Sequence, residues 1–289
     1  MPHNRQIVHM IPRSFAVDEQ TGVANPLGMH GYRLEVETHI ITAARNALQN
    51  LGQCVENVGI KTEQFVLNVL ASAEAVLEPT EREMGVIVAD IGGGTTDIAL
   101  YMQGKVWHSR VFTVGGAHST NDIAIGLRAP MEVAEKVKIQ YGDCRPDLID
   151  PESVFTVEPF SGEQIRVGRK DLAHVIDARV EELFQLVLQD IKRSGYDGLL
   201  PAGIVITGGT SNLRGIASVA KRVLNVPARV AKPKNLVGLV DSLHSPAYAT
   251  GVGLLRWAMN DHHVYQPRAV RGEWGMKKVG GFLKALMPG

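Results

Sequence analysis

The chain has 289 residues, of which 45% are hydrophobic and 21% are charged, as expected of a globular protein with one large or two modest domains. Thirty basic and thirty acidic residues cancel, so the bulk charge argues against a nucleic-acid partner. No apolar run reaches the roughly eighteen residues of a transmembrane helix, so we expect a soluble or peripheral protein.

The first eighty residues predict alternating strands and helices. Residues 5–16 and 32–42 have strand-like composition and are joined by a loop that contains glycine, asparagine and proline. Residues 42–58 carry apolar side chains at helical spacing. We then predict a strand at 65–70 and a helix at 71–77, which ends before a proline.

The next segment is the most informative part of the chain. Residues 88–97 read VADIGGGTTD, and three apolar runs within 86–114 are separated by this glycine turn and by a second turn. A turn without side chains lets backbone N–H groups approach an anion closely, and the threonine hydroxyls add donors. The residues predicted to bind the phosphates of a cofactor are Asp90, Gly92, Gly93, Gly94, Thr95 and Thr96.

Two aspartates flank this glycine turn. Asp90 and Asp97 would repel a phosphate unless a divalent cation lay between them, so the pattern predicts Mg²⁺ held largely through water. The alternative is an ordinary hairpin with a flexible turn, although a plain hairpin needs only one or two glycines. A P-loop is excluded because G-x-x-x-x-G-K-S/T is absent and a hairpin follows the glycines where a helix would be expected.

The rest of the chain continues the alternation of helices and strands, which predicts the α/β fold class. Residues 119–122 form an N-cap signal for a helix, and 131–141 has a helical pattern. Residues 142–168 contain short β runs, and we expect a small inserted subdomain at about 127–175. Further predicted elements are a long helix at 172–192, a strand, turn and helix start at 203–216, a strand at 226–233 and a helix at 245–259.

A second glycine turn follows a predicted buried strand. Bare backbone at the carboxyl end of a parallel strand can receive a flat ring, but the pattern also fits a tight turn between strand and helix. Likewise Glu135 and Lys138, one helical turn apart, fit either a ligand contact or an exposed ion pair. The residues of interest in the turn are Gly208, Gly209, Thr210 and Leu213.

The first glycine turn resembles the second phosphate loop of the actin, sugar kinase and DnaK-type chaperone superfamily, written D-I/L-G-G-G-T-x-D. The second turn resembles the adenosine loop of the same superfamily, in which a matching Glu and Lys touch the ribose and base. The resemblance implies an actin-like (ribonuclease H-like) ATPase fold with ATP and Mg as cofactors. It also implies cofactor contacts from Glu135, Lys138, Gly208, Gly209, Thr210 and Leu213.

Six segments narrow the resemblance to one branch, FtsA, the actin-like bacterial family that ties the division ring to the membrane. These segments occur in the order and approximate spacing of that family, and the resemblance covers about residues 5–289. They are residues 11–31, 70–77, 89–101, 115–124, 134–142 and 203–216. The segment at 11–31, which contains D-x-x-x-G-V-x-N-P-x-G-M-x-G, is the most branch-specific. The resemblance implies FtsZ and membrane lipid as partners, self-association as an actin-like polymer, and a peripheral location on the cytoplasmic side of the cell membrane at the division septum.

One element that the resemblance implies is missing from this sequence. Members of the superfamily clamp the nucleotide between two lobes, each with its own phosphate hairpin, but no D-x-G-T hairpin precedes residue 90. We therefore expect a remnant of the first lobe at 1–85, without the N-terminal part of that domain, and a complete second lobe at 86–259. A one-sided site binds nucleotide weakly and does not enclose a water for hydrolysis. We expect a nucleotide-binding adaptor with at most weak ATPase activity, and we assign no catalytic residue.

The end of the chain has a pattern of its own. Residues 260–272 indicate a polar linker, and 273–289 an amphipathic helix with apolar residues on one side and lysines opposite. A helix of that length is too short to cross a bilayer but can lie in its surface. The alternative is a helix docked on the protein's own core. The residues predicted to enter the membrane are Trp274, Met276, Val279, Phe282, Leu283, Leu286 and Met287.

Three functions are compatible with these features. The first is a membrane-tethering adaptor of FtsA type. The second is a small-molecule kinase of the same superfamily, for which we find no catalytic aspartate in the first half of the sequence. The third is an actin-superfamily scaffold of pilus assembly, against which the amphipathic end and the 11–31 segment count.

Overall fold

The computed structural model of the chain describes residues 3–238 and 243–260. Its first part is an antiparallel sheet of three strands in the order β2-β1-β3, followed directly by a helix. The two long strands and the helix confirm the elements predicted for the first sixty residues. These elements are β1 (Arg5–Val17), β2 (Gln20–Val23), β3 (Leu34–Ala44) and α1 (Arg45–Glu56).

The next helix begins earlier than the sequence pattern predicts. Helix α2 (Asn68–Val76) contains three of the six residues predicted as a strand at 65–70, so that prediction is wrong. Seven of the nine residues of α2 are buried. A continuous apolar run has no periodicity that separates a buried helix from a buried strand, which explains the error. A short helix, α3 (Pro79–Met84), follows the proline.

The predicted three-stranded hairpin is confirmed. It consists of β4 (Val86–Ile91), β5 (Thr96–Met102) and β6 (Lys105–Phe112), each antiparallel to the next. Every residue of β4 is buried. Strand β4 therefore lies in the centre of the molecule, and the glycine turn after it lies at one end of the central sheet.

The helix after the hairpin is longer at its N-terminus than predicted. The cap predicted at 119–122 lies inside α4, so the predicted start of this helix is wrong. The first amides of α4 donate to carbonyl groups of the glycine turn, and this tertiary contact extends the helix beyond its local capping signal. The elements of this region are α4 (Gly116–Leu127), α5 (Met131–Tyr141), β7 (Val154–Val157), β8 (Ile165–Gly168) and α6 (Arg169–Ser194).

The last described elements complete the central sheet and cover it. They are β9 (Ile204–Thr207), α7 (Ile216–Leu224), β10 (Ala228–Val230) and α8 (Ala249–Met259). The sheet has the order β10-β9-β4-β5-β6, in which β10, β9 and β4 are parallel. The remaining two strands are antiparallel to their neighbours.

Helices cover both faces of this sheet, and β4 shows which side chains face which layer. Ile87 and Ala89 pack in the cluster that contains residues of α6 and α7. Val86 and Val88 pack in the cluster that contains residues of α2 and α8. Because side chains alternate along a strand, Asp90 projects toward the layer of α2 and α8.

The N-terminal sheet contacts the edge strand β6 through polar groups. The Lys105 ammonium donates to the Arg13 carbonyl at 2.9 Å, and His39 Nε2 lies 3.0 Å from Ser109 Oγ. Burial, together with the positive charge of Arg13 and the neighbouring His108, lowers the pKa of His39 to about 4. His39 is therefore neutral at physiological pH, and its contact with Ser109 is an uncharged hydrogen bond.

Candidate functional site

The glycine turn between β4 and β5 brings its two aspartates together. Asp90 pairs directly with Asp97 in the strand register, and the Gly92 amide closes the turn by donating to the Thr95 carbonyl at 2.9 Å. Asp90 is 7% exposed and Asp97 is 6% exposed. No basic side chain of the described chain forms an ion pair with either carboxylate. Two buried carboxylates thus lie on paired residues, and no basic side chain of the described residues compensates their charge.

Burial and the neighbouring carboxylate change the pKa of Asp97. Burial raises the pKa of Asp97 above its usual value, and the nearby Asp90 raises it further, while a hydrogen bond from the Thr95 hydroxyl opposes both effects. A divalent cation would reverse this situation, because it would compensate both charges at once. Among the described residues, no three or more His, Cys, Asp or Glu side chains cluster in a way that could hold a metal ion. Two oxygen ligands suit Mg²⁺, which keeps several waters and binds phosphate oxygens.

The glycines in the middle of the turn are not required by the fold. Gly93 and Gly94 do not have positive φ angles, and a Cβ added to either would meet no atom within 4 Å. Their backbone amides donate to no group in the described part of the chain. The two residues whose backbone amides have no acceptor in the described part of the chain therefore also carry no side chain that could block a ligand.

The N-terminus of α4 closes over the turn from one side. The amides of Gly116 and Ala117 donate to the carbonyls of Gly92 and Gly93 at 2.9 and 2.8 Å. A Cβ on Gly115 would lie 2.6 Å from the Gly93 carbonyl oxygen. A side chain at 115 would thus force the helix away from the turn.

The second glycine turn meets the first one directly. Gly208 follows β9 with a φ of +86°, and a Cβ there would lie 2.5 Å from the Ile91 carbonyl oxygen. The Thr210 hydroxyl then donates to the Gly92 carbonyl at 2.9 Å. The two turns, more than a hundred residues apart in sequence, form one structural unit.

A cavity of about 1090 Å³ opens beside this unit. Its walls come from the glycine turn, the start of α4, the helix α5 and the second turn. The predicted residues that line it are Gly93, Glu135, Lys138, Gly209, Thr210 and Leu213. The other predicted residues do not line the cavity and lie in β4 and β5, in the turn between these strands and directly after β9: Asp90, Gly92, Gly94, Thr95, Thr96, Asp97 and Gly208.

Glu135 and Lys138 form a hydrogen-bonded group at the cavity wall. The Lys138 ammonium donates to the Gly116 carbonyl at 3.1 Å and to the Thr120 hydroxyl at 2.7 Å, and it lies 2.7 Å from the Glu135 carboxylate. Burial alone would raise the pKa of Glu135, but hydrogen bonds from Lys138 and Thr120 lower it below its usual value. Lys138 is 8% exposed, whereas the Glu135 side chain is 45% exposed, so the ion pair is half-buried, with its lysine end inside the protein.

Some site residues gave no signal in the sequence, and one predicted residue faces another direction. Thr120 hydrogen-bonds with Lys138 and with the Gly116 carbonyl. Its spacing of four residues from Gly116 is one helical turn, and this spacing is the one sequence feature that could have predicted the contact. Ser72 and Thr250 contact Asp90 from two helices that no local pattern relates. The Thr96 hydroxyl donates to the Val114 carbonyl at 2.8 Å, so it holds the strands together beside the turn.

The predicted membrane segment lies outside the described residues. This applies to Trp274, Met276, Val279, Phe282, Leu283, Leu286 and Met287, and to the linker at 260–272 apart from residue 260. Within 3–238 and 243–260, no helix is both long enough and apolar enough to span a membrane.

Comparison with known proteins identifies two regions. Residues 87–253 match the family profile described as "Cell division protein FtsA". Residues 1–42 match a second profile, described as "SHS2 domain inserted in FTSA". The two matches cover the N-terminal sheet and the central sheet separately.

Curated relatives match over most of the chain. The FtsA proteins of Pseudomonas aeruginosa and Escherichia coli K12 are 41% and 35% identical over 90% and 97% of this chain. The FtsA protein of Bacillus subtilis is 38% identical over 91% of it. The chain spans 62%, 68% and 59% of the lengths of these three relatives, respectively.

Solved structures show the same fold at low sequence identity. A PilM-PilN type IV pilus biogenesis complex matches with a TM-score of 0.67 and 20% identity over 90% of this chain and 68% of the other. MreB5 of Spiroplasma citri bound to ADP matches with a TM-score of 0.58 and 17% identity over 87% and 88%. The MamK double helical filament has a TM-score of 0.55 and 22% identity over 75% and 66%.

These structures place the chain in the actin-like ATPase fold, which confirms the predicted fold class. The family follows from sequence, because one profile covers more than half of the chain and curated relatives exceed 30% identity over nearly all of it. The chain belongs to the FtsA family of cell division proteins.

Proposed function

We propose that this chain binds ATP with Mg²⁺ at the cavity beside the glycine turn, as part of an FtsA-type protein. In this proposal the protein self-associates as an actin-like polymer and tethers FtsZ filaments to the inner face of the cytoplasmic membrane at the division septum. The observation that carries the nucleotide site is the pair Gly93 and Gly94. The fold explains neither glycine, and an incoming phosphate explains both.

The surrounding residues fit a magnesium nucleotide. The free amides of the turn are donors suited to phosphate oxygens, and they lie at the mouth of the cavity. The paired carboxylates of Asp90 and Asp97 would hold the metal through water, and Mg²⁺ supplies charge neutralisation between carboxylates and phosphates. The part of the cavity wall formed by Gly209, Leu213 and Lys138 suits the adenosine.

We assign binding to these residues and no catalytic step. The amides at 93 and 94 hold and orient the phosphates, Asp90 and Asp97 would hold the metal through water, and the group at Lys138 orients the sugar and base. We assign no described residue to the activation of a water, and we propose at most weak ATPase activity because a one-sided site does not enclose a water for hydrolysis. In this proposal residues 1–85 belong to the first lobe and begin with the SHS2 match, and 86–259 form the second lobe with its insert at about 127–175.

The nucleotide site is tested by the Gly93→Ala variant. Because the added methyl group meets no atom within 4 Å, the free energy of unfolding should stay within about 0.5 kcal/mol of wild type. The methyl group occupies the approach path of a phosphate, so ATP·Mg binding should weaken roughly tenfold or more. Saturation-transfer NMR with the 289-residue chain detects even weak ATP binding.

The matched control is Gly126→Ala, which adds a methyl group in α4, also with no atom within 4 Å and away from the cavity. It should bind ATP as wild type does. Equal binding by Gly93→Ala and wild type would remove the glycine turn from the site. No ATP binding by the wild-type chain would end the nucleotide proposal.

The tether is tested at the end of the chain. The full chain should float with liposomes that contain anionic lipid, whereas a chain that ends at Arg271 should stay in solution. Sedimentation with FtsZ filaments, with and without liposomes, then tests whether one chain holds both partners. Equal flotation of the two chains would remove the proposed role of the tail. Robust phosphate transfer to a small acceptor would favour the kinase instead.

A further inference from the structure

Asp90 is held by hydroxyl groups from two helices. The Ser72 hydroxyl on α2 donates to Asp90 Oδ2, and the Thr250 hydroxyl on α8 donates to the same oxygen at 2.8 Å. The two hydroxyl oxygens lie 2.9 Å from each other. Two residues that are 178 positions apart in sequence therefore converge on one carboxylate oxygen.

Burying the polar Ser72 side chain costs free energy unless its hydroxyl forms a hydrogen bond. Ser72 is fully buried and is the one polar residue among the seven buried residues of α2. A Cβ on Gly253 of α8 would collide with the Ala71 carbonyl of α2, so the helices approach closely beside the hydroxyl pair. The buried Ser72 hydroxyl needs a partner, and it shares one carboxylate oxygen with the half-buried Thr250 hydroxyl.

The other carboxylate oxygen has a different environment. Asp90 Oδ1 lies next to the α-carbon of Gly208, where any side chain would collide with it. It accepts no hydrogen bond from the residues that the structure describes. The hydroxyls thus hold one oxygen and fix the rotation of the carboxylate, while the second oxygen stays free of protein donors.

We propose that Ser72 and Thr250 are positioning residues for the divalent cation of this site. This inference rests on the proposed nucleotide function, because it concerns the metal of that same site. Mg²⁺ demands near-ideal geometry, so a carboxylate that turns freely binds it or its water shell less well than one held in a single orientation. Residues that orient metal ligands in this way typically contribute 10–100-fold to metal affinity.

The decisive pair of variants is Thr250→Val and Thr250→Ser. Valine keeps the shape of threonine without the hydroxyl, and serine keeps the hydroxyl. We measure binding of Mn²⁺ alone by EPR, and binding of ATP in Mg²⁺ and in EDTA, all with the 289-residue chain. Thr250→Val should need roughly tenfold more Mn²⁺ for half-saturation. Thr250→Ser should stay within about twofold of wild type, and ATP binding in EDTA should be equal in all three chains.

Equal Mn²⁺ affinity of the valine and serine variants would overturn the inference, as would no Mn²⁺ binding by the wild-type chain. It would also be overturned if Thr250→Val lost the same factor of ATP affinity with and without metal, because that pattern indicates a merely structural role. Failure of the nucleotide proposal can be distinguished from failure of this inference. The nucleotide proposal fails if the wild-type chain does not bind ATP, whereas the Mn²⁺ titration is carried out without ATP and tests the inference separately. Ser72→Ala repeats the measurement from α2, and Thr250→Val decides if the fully buried Ser72 variant does not fold.

Discussion

The turn after β4 and the turn after β9 both contain adjacent glycines, and they differ in what requires those glycines. At Gly208 the backbone has a φ of +86°, and a side chain would collide with Asp90 and with the backbone of Ile91. At Gly93 and Gly94 neither the backbone conformation nor any neighbouring atom excludes a side chain. One turn needs glycine in order to fold, and the other has glycine without a structural need.

This difference separates two meanings of the same residue. A glycine that the fold requires shows how the chain is packed, whereas a glycine that the fold does not require indicates something outside the chain. The paired carboxylates at the first turn fit the second meaning, because neither forms an ion pair with a basic side chain of the described residues. Substitution of Gly208 should therefore lower stability, whereas substitution of Gly93 or Gly94 should weaken binding and leave stability nearly unchanged.

The largest effect on stability is expected for Gly208→Ala. An L-residue at positive φ costs about 1–2 kcal/mol, and the collision with buried backbone adds roughly 1–3 kcal/mol. Urea denaturation should show the loss of most of this sum, while Gly126→Ala in α4 should be neutral or slightly stabilising. A Gly208→Ala midpoint equal to wild type would show that the second turn tolerates side chains and would break the comparison.

A smaller loss is expected for Lys138→Met, which keeps the bulk and removes the charge. The variant leaves the Gly116 carbonyl, the Thr120 hydroxyl and the Glu135 carboxylate without their common donor. The free energy of unfolding should fall by about 1–3 kcal/mol, and ATP binding should weaken with it. Lys192→Met, at an exposed position of α6, is the control and should change neither quantity. Unchanged ATP binding in Lys138→Met would place the group outside the site.

The opposite sign is expected for Asp97→Asn, measured without ligand. Burial is the main reason that the pKa of Asp97 is raised, so the folded chain binds the Asp97 proton more tightly than the unfolded chain, whose pKa is near 3.8. This carboxyl therefore lowers stability above its folded-state pKa, and the penalty disappears as the pH falls below the unfolded value. Asp97→Asn should raise the free energy of unfolding at pH 7 by roughly 0.5–2 kcal/mol and remove this acid-range change.

Mg²⁺-dependent ATP binding should be lost in the same variant. Asp197→Asn, at an exposed loop position, should leave both the stability and the binding unchanged. If Asp97→Asn instead destabilised the ligand-free chain at pH 7, the fold would favour the ionised carboxylate at position 97, and the first turn would no longer differ from the second.

The smallest change in stability is expected for Gly209→Ala, one residue beyond Gly208. Gly209 has no positive φ, and an added Cβ would meet only the Ala247 side chain at an ordinary 3.9 Å. Unfolding should therefore change by less than about 0.5 kcal/mol. Because Gly209 lines the cavity, ATP binding should weaken. Wild-type ATP binding by this variant would show that the adenosine does not lie against the second turn.

The sequence by itself determined the local elements and the family. The hairpin of β4 to β6 and helix α5 follow from periodicity and turn residues within a few positions of each other, and the structure confirms them. The ordered motifs identified FtsA, and the relatives confirm it. Local pattern failed at 65–70 and at the start of α4, where burial and a contact with a distant turn decided the conformation.

Only the tertiary structure decided which of these residues meet. Ser72 and Thr250 are 178 residues apart, and nothing in either segment indicates that both hydroxyls reach one oxygen of Asp90. The sequence pattern places Lys138 on a helix, but its burial depends on contacts with Thr120 and with the N-terminus of the neighbouring helix α4. Periodicity and turn chemistry act over a few residues, whereas burial, pKa and hydrogen-bond partners depend on how distant segments pack.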